Sequence, residues 1–319
     1  MLDVVAWGEL LIDFTSQSAD EFGYPTMAAH PGGAPANFLA ALAKFGAKTA
    51  LAGKVGADAF GKLLTATLQN LGIETRGIVA SPDVFTTLAF VTLDELGDRE
   101  FSFARKPGAD SQITFDELDL SLVEEAKVFH FGTLSLTDEP ARSATRQAVA
   151  YAKEHGKLIT YDPNLRKPLW SDLADAREQL LWGLKQADVV KISDEEVEFL
   201  FGASPAEGAE LILNEYGVKL VFVTCGAAGC IFQNRLAKGM VPGLSGLRVV
   251  DTTGAGDIFG GSAVWRLLQT SKAPGELTED ELRSVAAFAC ASAGLSTTRP
   301  GGISSVPSYE EVLERMAGA

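Results

Sequence analysis

The sequence predicts an α/β protein, with a central, mostly parallel sheet flanked by helices and a small β-sheet lid, in a single domain over residues 1–319. Three observations predict it. Short apolar, β-branched runs alternate with longer amphipathic stretches, the rhythm of a parallel sheet covered by helices. The rhythm breaks at about 14–30 and 76–110, as expected for insertions that form a lid. No repeat, low-complexity tract or long linker divides the chain.

The elements follow in order. Residues 4–7 read as a buried strand. The segment 14–30 is irregular and lacks a helical pattern. A helix covers 34–45 and closes at Gly46; a short strand covers 49–53; a helix covers 57–71 and stops at Gly72. Residues 86–93 and 100–105 are β-rich and flank Asp94-Glu95-Leu96-Gly97-Asp98, which predicts a hairpin. Strands are then expected at 127–131, 158–161, 188–192 and 220–224. Helices are expected at 139–154, 173–186, 194–201, 206–216, 258–268, 280–295 and 309–316.

Composition limits function. The 27 Lys and Arg stand against 42 Asp and Glu, a formal net charge of −15. That balance argues against nucleic acid and anionic membranes as partners. A bound phosphate must then be held locally, by backbone N–H groups, a few basic side chains or a metal. No apolar run reaches the roughly 18–20 residues of a membrane helix. The opening MLDVVAWGELLIDF carries Asp3 and Glu9 and no basic leader, so neither a signal nor a transit peptide is expected. Cys225, Cys230 and Cys290 form no CxxC, and there is no Asn-x-Ser/Thr site. A cytoplasmic protein is expected.

The most informative stretch is Val249-Val250-Asp251-Thr252-Thr253-Gly254-Ala255-Gly256-Asp257. It reads as an apolar strand end, a glycine turn and a helix start. Glycines let backbone approach a ligand closely. A helix start offers unpaired N–H groups to an anion. Asp257 in the first turn suits removal of a proton from an attacking hydroxyl, beside N–H groups that stabilise a transferred anion. A glycine turn with Asp257 as helix-dipole partner is the structural alternative. The turn is no Walker A loop, since no GxxxxGK[ST] occurs. Phe259 stands where a dinucleotide fingerprint needs its third glycine. His30, His130 and His155 are scattered and HExxH is absent, which argues against zinc; G-x-S-x-G is absent too.

A second glycine turn, Pro31-Gly32-Gly33-Ala34-Pro35-Ala36-Asn37, leads into the first helix. Its bare backbone, the Asn37 amide and Asp13, read as ending the first strand, make a polyol site. Capping roles for Asp13 and Asn37 remain open on residue identity alone.

Together these two stretches resemble the ribokinase/PfkB carbohydrate kinase family, over nearly the whole chain. Gly8 to Phe14, Gly32 to Asn37, Asp162-Pro163-Asn164-Leu165-Arg166, Leu169-Trp170 and Lys191 to Glu196 resemble the fructokinases within it. The resemblance implies a ribokinase-like fold and ATP-dependent phosphorylation of a sugar hydroxyl, fructose to fructose 6-phosphate. Other family substrates, 2-keto-3-deoxygluconate, ribose or a nucleoside, share the same core. A sugar-binding regulator without catalysis is the reading from another class. By resemblance, Asp257 is the general base and Gly254, Ala255 and Gly256 the anion hole. Asp13, Gly32, Gly33, Asn37, Arg105 on the lid and Arg166 contact the sugar. Lys191, Ser193, Thr224, Gly226 and Gly229 lie at the nucleotide. Ser193 departs from the asparagine of many members. Glu196 acts on Mg2+ through water. A monovalent cation such as K+ is implied at Asp251 and Thr253, with groups around Ser296, Arg299, Gly301 and Ser305. Lid strands that pair between two copies are implied in a homodimer.

Overall fold

Alternation within the first strand sets the layering. In β1 (Leu2–Trp7), Val5 and Trp7 pack to one face of the sheet, and Val4 and Ala6 to the other. All four are fully buried. A strand apolar on both faces belongs at the centre of a parallel sheet covered on both sides. In the computed structural model, which describes residues 1–93, 99–270 and 272–318 (for 93 and 99–101 the backbone alone), β1 is an interior strand of such a sheet, with a parallel neighbour on each side.

The chain runs β2 (Leu11–Ala19), β3 (Pro25–Gly32), α1 (Ala34–Lys44), β4 (Thr49–Gly56), α2 (Ala59–Asn70), β5 (Glu74–Ser81), β6 (Leu88–Leu93) and β7 (Arg99–Ala104). It continues through α3 (Leu120–Glu125), β8 (Ala126–Gly132), α4 (Ala141–Glu154), β9 (Leu158–Asp162), α5 (Leu173–Gln186), β10 (Val189–Ser193), α6 (Asp194–Phe201) and α7 (Pro205–Tyr216). Last come β11 (Leu220–Thr224), β12 (Cys230–Asn234), β13 (Lys238–Val241), α8 (Ala255–Leu268), α9 (Glu279–Ser296) and α10 (Tyr309–Ala317).

Among the described residues these strands form two sheets. The large one has nine strands in the order β13-β12-β11-β10-β9-β8-β1-β4-β5, parallel except for β12 and β13. Helices α3 to α7 cover one face and α1, α2 and α8 to α10 the other. The order reverses at β1, which pairs β4 on one side and β8 on the other. Ligands of open α/β sheets bind outside the strand carboxyl ends at such a reversal. The small sheet, β3-β2-β6-β7, has four strands, is separate from the large one and corresponds to the expected lid.

The structure corrects several expectations. Residues 14–30 are two paired strands, because Phe14, Thr15 and Ser16 face Ala29, Ala28 and Met27 across a hairpin. Asp13 therefore sits inside β2, on the lid sheet, rather than at the end of the first strand. Residues 76–81 belong to β5 of the large sheet, so the second lid insertion starts later than 76. Val249 and Val250 are not a strand end; they lie in an extended loop, 60% and 56% exposed. The short helix α3 and the antiparallel β12–β13 pair carry no clear period and went unanticipated. The turn expected at Asp94–Asp98 lies outside the described residues. Among the described residues no helix is long and apolar enough to cross a membrane.

One packing detail positions the site. Helices α1 and α8 share a core of Phe38, Leu42, Ile258 and Val264. A Cβ at Gly261 of α8 would run into the Phe38 carbonyl of α1. The missing side chain lets the two helices close up, which brings Asn37 of α1 onto Asp257 of α8.

Candidate active site

The start of α8 forms the centre of the site. Gly254 is its N-cap, with φ 74°, a left-handed conformation that favours glycine. A Cβ there would also lie 3.0 Å from Asn37 Nδ2 and from Gly302 Cα. The Ala255 amide turns back onto the Thr252 carbonyl at 3.3 Å. The amides of Gly256 and Asp257 belong to the first turn, where no intrahelical acceptor exists, and are directed outward from the helix start. Gly256 packs on Lys191, whose Nζ would sit 2.7 Å from a Cβ at that position.

Asp257 is buried and held by two amides. Asn37 Nδ2 donates to Oδ2 at 2.9 Å, and Asn164 Nδ2 to Oδ1 at 3.4 Å. Burial raises its pKa, while Lys191, the Asn37 bond and Arg166 oppose the rise. The carboxylate is thus oriented by side chains from α1 and from the loop after β9. Asn37 carries a positioning role that its sequence pattern did not reveal.

Two cavities meet at this turn. The first, of about 120 Å³, is bordered by Asp13, Gly33, Asn37, Asn164, Arg166 and Asp257, with Glu9 and apolar walls from Leu11, Phe103 and Leu134. Burial pushes the Asp13 carboxyl up to about 7; Arg166 opposes this, and Asp257 and Asp251 add to it. Gly32 is small for a visible reason, since a Cβ would run into the Asp13 carboxylate. The second cavity, of about 400 Å³, is mainly apolar. It is bordered by Thr224 at the end of β11, Gly226 and Gly229 after it, the 243–249 loop, and Cys290 and Ala293 of α9 with Thr297 at its C-cap. Thr252 borders both cavities, with Gly254 and Asp257 on the polar side and Ala255 and Gly256 on the apolar side.

The remaining expected residues fall into three groups. Arg105 does not border the first cavity. Its guanidinium is buried on Asp110 at 2.8 Å, Thr137 at 2.7 Å and the Leu134 carbonyl at 3.0 Å. Lys191 pairs with buried Asp162 at 3.0 Å beneath the glycine turn. Burial pushes Asp162 up to about 7 against the pull of Lys191. Ser193 caps α6, its hydroxyl oxygen accepting from the Glu196 amide at 3.2 Å, and Glu196 accepts from the Ser193 amide at 2.9 Å and the Leu165 amide at 2.7 Å. The third group surrounds Asp251, which accepts from Thr253 at 2.7 Å and from the Gly301 amide at 2.8 Å. Ser296 and Ser305 bond local carbonyls, and Arg299 pairs with Glu311. Three residues of the site were not singled out from sequence: Glu9, Asn164 and Asp162. All three lie inside stretches that carry the family resemblance, and only their convergence on Asp257 and its cavity marks them as site residues.

A polar cavity and an apolar cavity meet at a helix start, with a buried carboxylate on the polar side, an arrangement suited to bringing a hydroxylated acceptor to a phosphate donor. The pfkB family carbohydrate kinase model matches residues 1–309, and the chain belongs to that family. It is an ATP-dependent sugar phosphotransferase with the ribokinase-like fold. It is 43% identical over 316 residues to Fructokinase-1 of Zea mays, covering 98% of this chain and 96% of that one. Its structure is similar to that of a fructokinase from Xylella fastidiosa with bound ATP, at a TM-score of 0.91 and 31% identity, covering 100% and 99% of the two chains. It is similar also to a fructokinase double mutant from Vibrio cholerae O395 in its fructose, ADP and potassium ion bound form. There the TM-score is 0.88 and the identity 29%, over 99% and 98% of the chains.

Proposed function

We propose that the chain transfers the γ-phosphate of ATP to the 6-hydroxyl of fructose. The observation that carries this is the meeting of the two cavities at the Gly254–Asp257 turn. The sugar occupies the polar cavity and the adenine the apolar one. Asp257, oriented by Asn37 and Asn164, accepts the proton of the attacking hydroxyl. Amides at the start of α8 and the Arg166 guanidinium stabilise charge on the transferred group. Asp13, Gly32, Gly33 and Asn37 frame the sugar; Thr224, Gly226 and Gly229 frame the nucleotide. Lys191 and Ser193 support the nucleotide side from beneath. The lid sheet, carrying Asp13, closes over the sugar and excludes water.

Metal chemistry fits this frame. Among the described residues no group of three His, Cys, Asp or Glu side chains is placed to hold a metal. Mg2+ needs no such cage, since it is usually held by one or two carboxylates, waters and substrate phosphates. Glu196, buried at the start of α6, is the carboxylate that would hold it through water. When bound, Mg2+ neutralises phosphate charge. Asp251 and Thr253, facing the 296–305 loop, offer the hard oxygen donors that K+ needs, with Ser296, Arg299, Gly301 and Ser305 contributing backbone carbonyls or hydroxyls.

The open edges β3 and β7 of the lid support a homodimer formed by lid pairing, testable by sedimentation. Three unpaired thiols support a cytoplasmic setting. The function is tested by kcat/KM with ATP across fructose, ribose, glucose, 2-keto-3-deoxygluconate and nucleosides. Fructose is expected to lead. A tenfold preference for another acceptor would replace fructose and leave the mechanism standing.

A further inference from the structure

The sugar cavity contains a second buried carboxyl that the catalytic reading leaves without a task. Glu9 follows the carboxyl end of β1 and is only 3% exposed. It borders the same cavity as Asp13, Asn37 and Asp257. Sealing a carboxyl away from water is costly unless it is hydrogen-bonded. Two amides donate to it, its own and that of Ala34, the latter at 2.9 Å to Oε1. A carboxyl has about four lone-pair sites, so accepting capacity remains toward the cavity.

A structural acid in this place would pair with the nearest cation. Arg105 is that cation, but its guanidinium is engaged by Asp110, Thr137 and the Leu134 carbonyl. Burial accordingly pushes Glu9 up to about 8, with Asp110 adding to the rise and Arg105 opposing it. A protonated carboxyl both donates and accepts, which matches a sugar hydroxyl.

Helix α1 gives the spacing. Ala34, whose amide holds Glu9, and Asn37, whose amide holds Asp257, are three positions apart on it. That is a rise of about 4.5 Å along the helix, so the two carboxyls are anchored at separate points along one wall of the cavity that both border. A sugar in this cavity with its phosphorylated end at Asp257 can present its other end to Glu9.

We propose that Glu9 is a specificity-determining residue, whose carboxyl hydrogen-bonds the anomeric hydroxyl of a furanose ketose at the end of the cavity remote from Asp257. The assignment rests on the sugar-kinase reading of the cavity. It predicts rejection of an analogue that lacks this hydroxyl, because the carboxyl is then left without its partner.

The test compares kcat/KM for fructose and for 2,5-anhydro-D-mannitol, which is fructofuranose without its anomeric hydroxyl. Wild type, Glu9→Gln and Glu9→Leu are measured with saturating ATP. Wild type is expected to prefer fructose by roughly 10- to 100-fold. Glu9→Leu should lose that preference, mainly through KM for fructose, while Glu9→Gln, which still donates and accepts, keeps most of it. An unchanged ratio in Glu9→Leu, or equal losses on both sugars, overturns the assignment. If Glu9→Leu does not fold, the wild-type ratio decides, since a ratio near one is equally fatal. Absence of turnover on both sugars by wild type would instead refute the fructose reading itself, and the Glu9 assignment with it.

Discussion

Replacing Asp257 by asparagine separates the chemistry of the site from its architecture. The substitution keeps the shape of the side chain, and the Asn37 amide 2.9 Å away can still donate to its oxygen. The new NH2 group then faces Asn164 Nδ2, whose bond at 3.4 Å is already long. Losing that bond costs about 1 kcal/mol of stability, partly offset because a buried charge is removed. The reaction loses its proton acceptor, a loss of roughly 10²- to 10⁴-fold in general-base catalysis. That factor corresponds to about 3 to 5 kcal/mol of transition-state stabilisation. Coupled ADP-release kinetics should therefore show kcat down by at least a hundredfold, KM for sugar changed little, and a thermal midpoint within a few degrees of wild type. A kcat within fivefold of wild type would refute the role given to Asp257.

Other substitutions probe the surroundings. Gly254→Ala imposes a Cβ at φ 74° and 3.0 Å from Asn37 Nδ2; kcat should fall at least tenfold, with about 1 to 2 kcal/mol of stability lost, read by turnover and thermal melts. Lys191→Met leaves Asp162 buried and unpaired, so denaturant titration should show a loss of about 3 to 5 kcal/mol. Glu9 links stability to pH. Its folded pKa of about 8 lies above its ordinary 4.5, so the folded chain keeps a proton that the unfolded chain releases. This contribution is fully present below about pH 4.5 and is lost as pH rises through about 8, by roughly 5 kcal/mol at 1.36 kcal/mol per unit. Glu9→Gln should flatten the decline in thermal midpoint between pH 5 and 8; an unaltered slope would rule out Glu9 as its source.

The alternation of strands and helices was readable because both faces of the large sheet are covered, so its strands are plain apolar runs. Elements outside that logic were not. Strands β2 and β3 become exposed on both faces toward the tip of their hairpin and have mixed polarity, and β12 and β13 form a short antiparallel flank, so neither pair carries a strong period. Val249 and Val250 looked like a strand end, yet their loop instead walls the apolar cavity. The glycine turns were recognisable because glycine is demanded there by the positive φ at Gly254 and at Gly33, where a Cβ would also lie 2.5 Å from the Glu9 carbonyl oxygen. Glu9, Asp162 and Asn164 gain their meaning from neighbours far along the chain, and no local pattern encodes that. Arg105, assigned to the sugar by resemblance, likewise has partners that no local pattern encodes: its guanidinium is engaged by Asp110, Thr137 and the Leu134 carbonyl.

The central claim is that sugar and nucleotide meet at the start of α8. A crystal structure with fructose and a non-hydrolysable ATP analogue tests it most directly. The account predicts the 6-hydroxyl oxygen within hydrogen-bond distance of the Asp257 carboxylate, the γ-phosphate on the amides of that helix start, and the adenine between the 243–249 loop and α9. A sugar bound away from Asp257, or a γ-phosphate clear of the Gly254–Asp257 turn, would contradict it.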